Sequence, residues 1–178
     1  MAKHPFLQTM AMRLASSMSA ERKPWAAILA SDSALLEDSL QFLDGDYGTA
    51  SRYIWLLGEV AETAPEQLYP FLPFLWQRLP EVQVPDTQRS LAKFMEYCGI
   101  PEEMEGEVID TLFHWLNDFD TSKSCRYHTL RTLAKVVQKY PDFAEELRVS
   151  IESQMPVQNH VFRHYALKIL KQLDEQQL

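Results

Sequence analysis

The side chains best placed to do chemistry in this chain are cations. Lys123, Arg131, Lys135 and Lys139 follow one another at multiples of four within a stretch, 122–140, that holds no acid. On a helix that spacing keeps them on one slowly drifting face. His160, His164, Lys168 and Lys171 repeat the pattern nearer the C-terminus. A stripe of one sign is the footprint of anion recognition rather than of bond making. A solvated face that keeps a stack of helices soluble has the same appearance. Tyr127, Phe162 and Tyr165 lie among these cations and could stack bases, although their helical spacing fits core packing as well. These eight Lys, Arg and His residues are the candidate ligand-binding patch.

Charge balance points to the same end of the chain. Residues 120–178 hold 9 Lys+Arg against 7 Asp+Glu, whereas residues 1–119 hold 8 against 18. An anion-binding surface is therefore expected in the last third. The overall formal charge of −8 disfavours general affinity for nucleic acid or anionic membrane.

Other chemistry is poorly supplied. The pairs His160/His164 and Asp110/His114 have the i, i+4 spacing that can hold a metal, but no third ligand converges in the sequence. Glu102, Glu103, Glu105 and Glu107 stand where a helix would begin, and the dipole explains carboxylates there. There is no Gly-rich phosphate loop, nucleophile elbow, HExxH or Cys-rich cluster. No catalytic, cofactor-binding or metal residues are assigned, and no enzyme is expected. Cys98 and Cys125 lack metal-site spacing and read as buried thiols of a reducing compartment. No stretch approaches the ~18 apolar residues of a membrane span, and Gln8, Thr9 and Arg13 interrupt any signal-peptide run. A soluble cytoplasmic protein is expected.

The elements that must carry these residues are helices. Only 5 of 178 residues are glycine, the 10 prolines fall mostly between apolar segments, and apolar positions recur at three and four. Helical segments are expected over 4–16, 23–31, 33–42, 49–64, 66–79, 86–99, 101–118, 123–140, 142–155 and 160–173. Leu130, Leu133 and Val137, and likewise Leu167, Leu170 and Leu173, are the expected buried stripes. Pro73 should kink the helix it interrupts. Four arginines, Arg52, Arg89, Arg126 and Arg163, stand 37 residues apart, each near the start of such a helix. Fixed-period self-similarity of this length is the mark of stacked repeats.

Asp46 precedes Arg52 by six residues, as Asp120 precedes Arg126. A small or apolar residue follows three or four later, as in Trp55/Leu56, Thr129/Leu130 and Ala166/Leu167. Over roughly 33–174 this resembles the second half of the HEAT repeat. In that family a turn Asp and an early Arg form a ladder between repeats. The resemblance extends to small bacterial HEAT-like proteins, some of which carry the name adenylosuccinate lyase. The lyase's Gly- and Ser-rich catalytic loop is absent here. Gln83 and Val157 stand where the ladder would place Asp, and Lys93 and Glu96 where apolar residues would follow Arg89. A one-residue slip that turns Leu91, Met95 and Cys98 inward is expected there.

The resemblance implies an all-α fold: a right-handed α-α superhelix (solenoid) of about five HEAT-like helix pairs, forming a single domain over 1–178. The ladder of Asp46, Arg52, Arg89, Asp120, Arg126 and Arg163 is expected to be structural. The implied function is a non-enzymatic scaffold or protein-interaction module that holds a protein partner on its concave face. The alternative is nucleic-acid or polyanion binding through the basic C-terminal helices, in the manner of DNA-repair-type HEAT-like proteins.

Overall fold

Capping residues and prolines set the helix limits. Asp32 accepts from Leu35 N at 3.0 Å, Asp46 from Thr49 N at 2.8 Å, Ser122 from Cys125 N at 3.2 Å and Asn159 from Phe162 N at 3.0 Å. Each satisfies an amide that its helix leaves without an intrahelical partner. The computed structural model describes residues 4–176, and these are helical with no strand among them. The chain divides into two compact units, Met1–Pro101 and Glu102–Leu178.

The N-terminal unit comprises α1 (Pro5–Arg13), α2 (Ser19–Ala30), α3 (Ser33–Ser39), α4 (Tyr47–Thr63), α5 (Pro65–Leu68), α6 (Leu72–Arg78) and α7 (Thr87–Cys98). Short 3-10 turns cover Leu14–Ser16, Leu40–Asp44, Tyr69–Phe71 and Leu79–Glu81. α4 is its axis and packs against α2 on one side and α7 on the other. Tyr53, Leu56, Leu57, Val60 and Ala61 of α4 are fully buried. The Tyr53 hydroxyl finds Ser39 Oγ at 2.5 Å, so its polar end is satisfied inside the core. Gly58 lets α7 approach closely: a Cβ there would meet Lys93 Nζ at 3.2 Å, and Lys93 continues across to an ion pair with Glu62.

The C-terminal unit holds a 3-10 turn (Glu102–Met104), α8 (Glu105–Asn117), α9 (Lys123–Lys139), a 3-10 turn (Pro141–Phe143), α10 (Ala144–Gln154) and α11 (His160–Gln176). α8 packs on α9 and α10, and α11 on α10 and α9.

Several expectations change in detail. The kinked helix over 66–79 is two helices, α5 and α6, because Pro70 and Pro73 both lack the amide that would continue the ladder. α2 begins at Ser19, earlier than 23, with Glu21 Oε2 accepting from Met18 N at 2.9 Å. Leu130, Leu133 and Val137 are buried. The buried stripe of α11 is Phe162, Ala166, Ile169 and Leu173, which leaves Leu167 58% exposed. Spacings of four, three and four follow the helical repeat, whereas 167, 170 and 173 lag behind it. On α7, Leu91 and Met95 point inward, but so do Ala92, Phe94 and Glu96, and Cys98 is only half-buried. The buried face there is a broad band rather than a slipped stripe. Cys125 is fully buried, and neither cysteine forms a disulfide.

Candidate functional site: two arginine and lysine clusters

In the C-terminal unit the expected patch is largely engaged with its own chain. Lys139 Nζ lies 2.9 and 3.1 Å from the two oxygens of Glu105, and Tyr140 OH donates to the same carboxylate at 2.6 Å. The Tyr140 hydroxyl first, then Lys139, hold Glu105 below the usual carboxylate range. Tyr140 and Glu105 in turn raise Lys139. These contacts tie the end of α9 to the start of α8. The Arg131 guanidinium sits 5.5 Å from the Tyr127 ring centre and 5.3 Å from that of Tyr165, and donates to Tyr127 OH at 3.4 Å. The two tyrosines meet edge to face at 5.2 Å. Burial, with Tyr165 adding to it, pushes the Tyr127 phenol up.

Lys168 covers Tyr165 at 5.6 Å, His164 meets the same ring edge-on, and Lys171 lies 3.8 Å from Glu175. Tyr165 therefore gathers Arg131, His164 and Lys168, while Lys139 and Lys171 face carboxylates. Lys135 and His160 are exposed. Lys123 is exposed beside a shallow groove of about 550 Å³ bounded by Tyr127, Val161 and Phe162.

The arginine ladder grips carbonyls rather than the expected carboxylates. Arg126 Nη1 donates to Asp118 O and to Gln154 Oε1, both at 3.2 Å. Arg163 donates to Met155 O at 2.9 Å and Pro156 O at 3.0 Å. Arg52 reaches Gly48 O at 3.2 Å and Ser17 O at 3.4 Å. Arg89 alone takes a carboxylate, Asp86 Oδ2 at 2.8 Å. The expected Asp46–Arg52 and Asp120–Arg126 links are not formed. Asp46 is consumed as the cap of α4, where the Thr49 amide chiefly lowers its pKa. The 118–121 turn folds around Asp118, which accepts from Asp120 N and Thr121 Oγ1 at 3.0 Å each and leaves Asp120 outside. Gln154 completes this network: its Nε2 donates to Asn117 O at 3.3 Å and its Oε1 accepts from Gln158 at 2.9 Å.

A fifth arginine holds the ladder position in α2. Arg22 is the fourth residue of its helix, as Arg126 and Arg163 are of theirs. It too donates to a carbonyl of the preceding turn, Ser17 O, at 2.5 Å. Its spacing to Arg52 is 30 rather than 37, which hid it from the periodicity. Because α2, α4 and α7 are successive neighbours, their arginines Arg22, Arg52 and Arg89 line one cleft of about 580 Å³.

The remaining walls of that cleft are hydroxyls (Ser17, Ser19, Ser51, Ser90, Tyr47) and apolar groups (Met18, Ile54, Trp55, Val84, Pro85), with no Asp, Glu or His among them. Two guanidiniums converge on the single oxygen Ser17 O. Arg22 also stacks 4.6 Å over Trp55, and its buried Nε has no hydrogen-bond partner among the described residues. Burial first, then the neighbouring Arg52, lower the Arg22 pKa against an opposing effect of Glu21. Glu21 itself is committed to Arg13 and to Met18 N.

Just before α7, Asp86 adopts the left-handed conformation (φ 65°), a region that Asp tolerates better than most residues. This turn starts the helix that presents Arg89 and Ser90 to the cleft. Chemically, the walls can neutralise and hydrogen-bond an anion but offer no nucleophile–base pair.

Among the described residues no three His, Cys, Asp or Glu side chains gather as a metal site requires, and no helix is long and apolar enough to cross a membrane. Comparison with family models, curated proteins and solved structures found no match, leaving function to the geometry.

Proposed function

We propose that this chain is a non-enzymatic helical binding module of HEAT-like build that grips an anionic segment of a protein partner in the Arg22–Arg52–Arg89 cleft. The carrying observation is that Arg22 and Arg52 share one carbonyl oxygen in a cleft with no acid on its walls. Like charges held together in this way repel, and an anion between them relieves the repulsion. Recurrence of the helix-start arginine on adjacent helices supports the HEAT-like reading. It also supplies a preformed surface, as stacked repeats do. The test is binding of a panel of acidic peptides, carboxylate and phosphorylated, to the full chain and to the Arg22→Gln/Arg52→Gln double variant. Salt-sensitive binding that the double variant loses is expected. No binding at low salt, or equal binding by both proteins, would sink the proposal.

A second reading, polyanion binding by the C-terminal unit, is favoured by the grouping of Arg131 and Lys168 around Tyr165. Cations grouped on one surface are the electrostatic part of a site for the backbone of single-stranded nucleic acid. Retention on heparin that Arg131→Gln with Lys168→Gln abolishes is the expected result. Passage through heparin at low salt would remove this reading.

A further inference from the structure

We infer that the arginine cleft is built for a phosphate monoester dianion in preference to a carboxylate. The inference rests on the anion-binding role proposed for that cleft and names the chemistry of its ligand. Charge matching carries it. Three guanidiniums line the cleft, and one of them, Arg89, is offset by Asp86 at 2.8 Å. Arg22 and Arg52 remain, with no carboxylate among the lining residues to neutralise them. A phosphate monoester carries about −1.5 to −2 at neutral pH, matching two guanidiniums, whereas a carboxylate neutralises only one.

Hydrogen bonding agrees. Arg22 and Arg52 direct their bonds within the chain to backbone and hydroxyl oxygens, so neither is hydrogen-bonded to a carboxylate; Glu21 and Asp46 act on them only through space. Planar guanidiniums and serine hydroxyls bring several donors to the walls of the cleft. Three phosphate oxygens use them better than two carboxylate oxygens do.

The surroundings select a compact ligand. The N-terminal unit holds 8 Lys+Arg against 12 Asp+Glu, a balance of −4. That field opposes an extended polyanion, while the cleft favours a single group. The apolar wall of Ile54 and Trp55 gives the organic part of the ester a surface on which to lie. The phosphate can belong to a phosphorylated side chain of a partner or to a small phosphate ester.

The experiment is calorimetric titration of the full chain with phenyl phosphate, benzoate, inorganic phosphate, a phosphoserine peptide and its glutamate counterpart. Phosphate-bearing ligands should bind at least about tenfold more tightly than their carboxylate analogues, the gain of one well-placed charge-assisted bond. Phenyl phosphate affinity should fall about tenfold from pH 7.5 to pH 5, as the dianion with its second pKa near 6 takes up a proton. Arg22→Gln and Arg52→Gln should each abolish binding. Lys23→Gln, the same charge change on the exposed face of α2, should not alter it. Arg89→Gln, at a half-buried side chain tied to Asp86, is the variant to use if the other two unfold.

A phosphopeptide that outbinds phenyl phosphate and inorganic phosphate assigns the dianion to a modified partner. Equal affinities assign it to a small ester, and either result supports the inference. Equal arginine-dependent binding of phosphate and carboxylate ligands overturns the inference and leaves the anion-binding function standing. Binding of none of them, or binding indifferent to all three arginine substitutions, overturns both.

Discussion

The two cationic clusters differ in what surrounds each charge. In the C-terminal unit Arg131 lies between Tyr127 and Tyr165, Lys139 faces Glu105 and Tyr140, and Lys171 faces Glu175. In the N-terminal unit Arg22 and Arg52 converge on a carbonyl and face an acid-free cleft. The region richest in basic residues thus spends them on its own packing. The N-terminal unit, with the same net balance (8 Lys+Arg against 12 Asp+Glu, where the C-terminal unit has 9 against 13), concentrates a few where a ligand can reach them. Counting charge along a chain locates cations but says nothing of the groups that already neutralise them, because those arrive from other helices.

The contrast can be broken most sharply at the ladder. Arg126 is buried and bonds to two acceptors, so Arg126→Ala should destabilise the protein by about 2–3 kcal/mol, the scale of hydrogen bonds to a charged group. Denaturant unfolding measures this. Arg52→Gln should act mainly on anion affinity and far less on the melting temperature. If the two variants exchange behaviours, the roles assigned to the two units are reversed.

Tyr140→Phe comes next, at about 1 kcal/mol for one lost hydrogen bond. Its acid side is equally informative. The folded pKa of Glu105 is depressed by Tyr140 and then Lys139, and that of Asp118 by the Asp120 amide and then Thr121. A depressed carboxylate contributes stability that is fully present above its unfolded value, about pH 4. That stability is lost as pH falls through the lower folded values. Urea midpoints should therefore fall on acidification below about pH 4, and less steeply in Tyr140→Phe.

Arg131→Lys keeps the charge but loses the planar group between two rings, so a cost of about 0.5–1 kcal/mol is expected in thermal melts. A neutral result would release Arg131 from its structural role and sharpen the polyanion reading. The smallest effect is expected from Asp86→Asn. Asparagine also tolerates the left-handed turn, so folding should be nearly unchanged. Loss of the charge facing Arg89 should tighten anion binding about two- to threefold, the scale of a surface ion pair.

Much of this architecture was legible because helix signals are local. Asp32 announces a helix start, and Pro65, Pro101 and Pro141 stand at the junctions between helices, whereas Asp46, read as a ladder acid, proves to be the cap of α4. The partners of the ladder were not legible, since the choice between a carboxylate and a carbonyl depends on how a turn closes. Asp118 took the turn, leaving Asp120 outside. Gln154, 28 residues from Arg126, has no sequence mark at all. Arg22 escaped because its connector shortens the repeat to 30. It also fell one residue outside the helix expected over 23–31, which begins at Ser19 in the structure. Leu167 misled because leucine at every third position imitates a stripe while drifting around the helix.

The carbonyl of Ser17 has a consequence for motion. It lies in the turn between α1 and α2, and two guanidiniums, Arg22 of α2 and Arg52 of α4, hold it. An anion that draws Arg22 and Arg52 together therefore also fastens this turn. Backbone amides around 14–22 should exchange with solvent deuterium more slowly in the occupied protein, by the factor that ligand binding adds to closure. The opening rate of a single turn then becomes a reporter of cleft occupancy, readable without knowing the ligand's name.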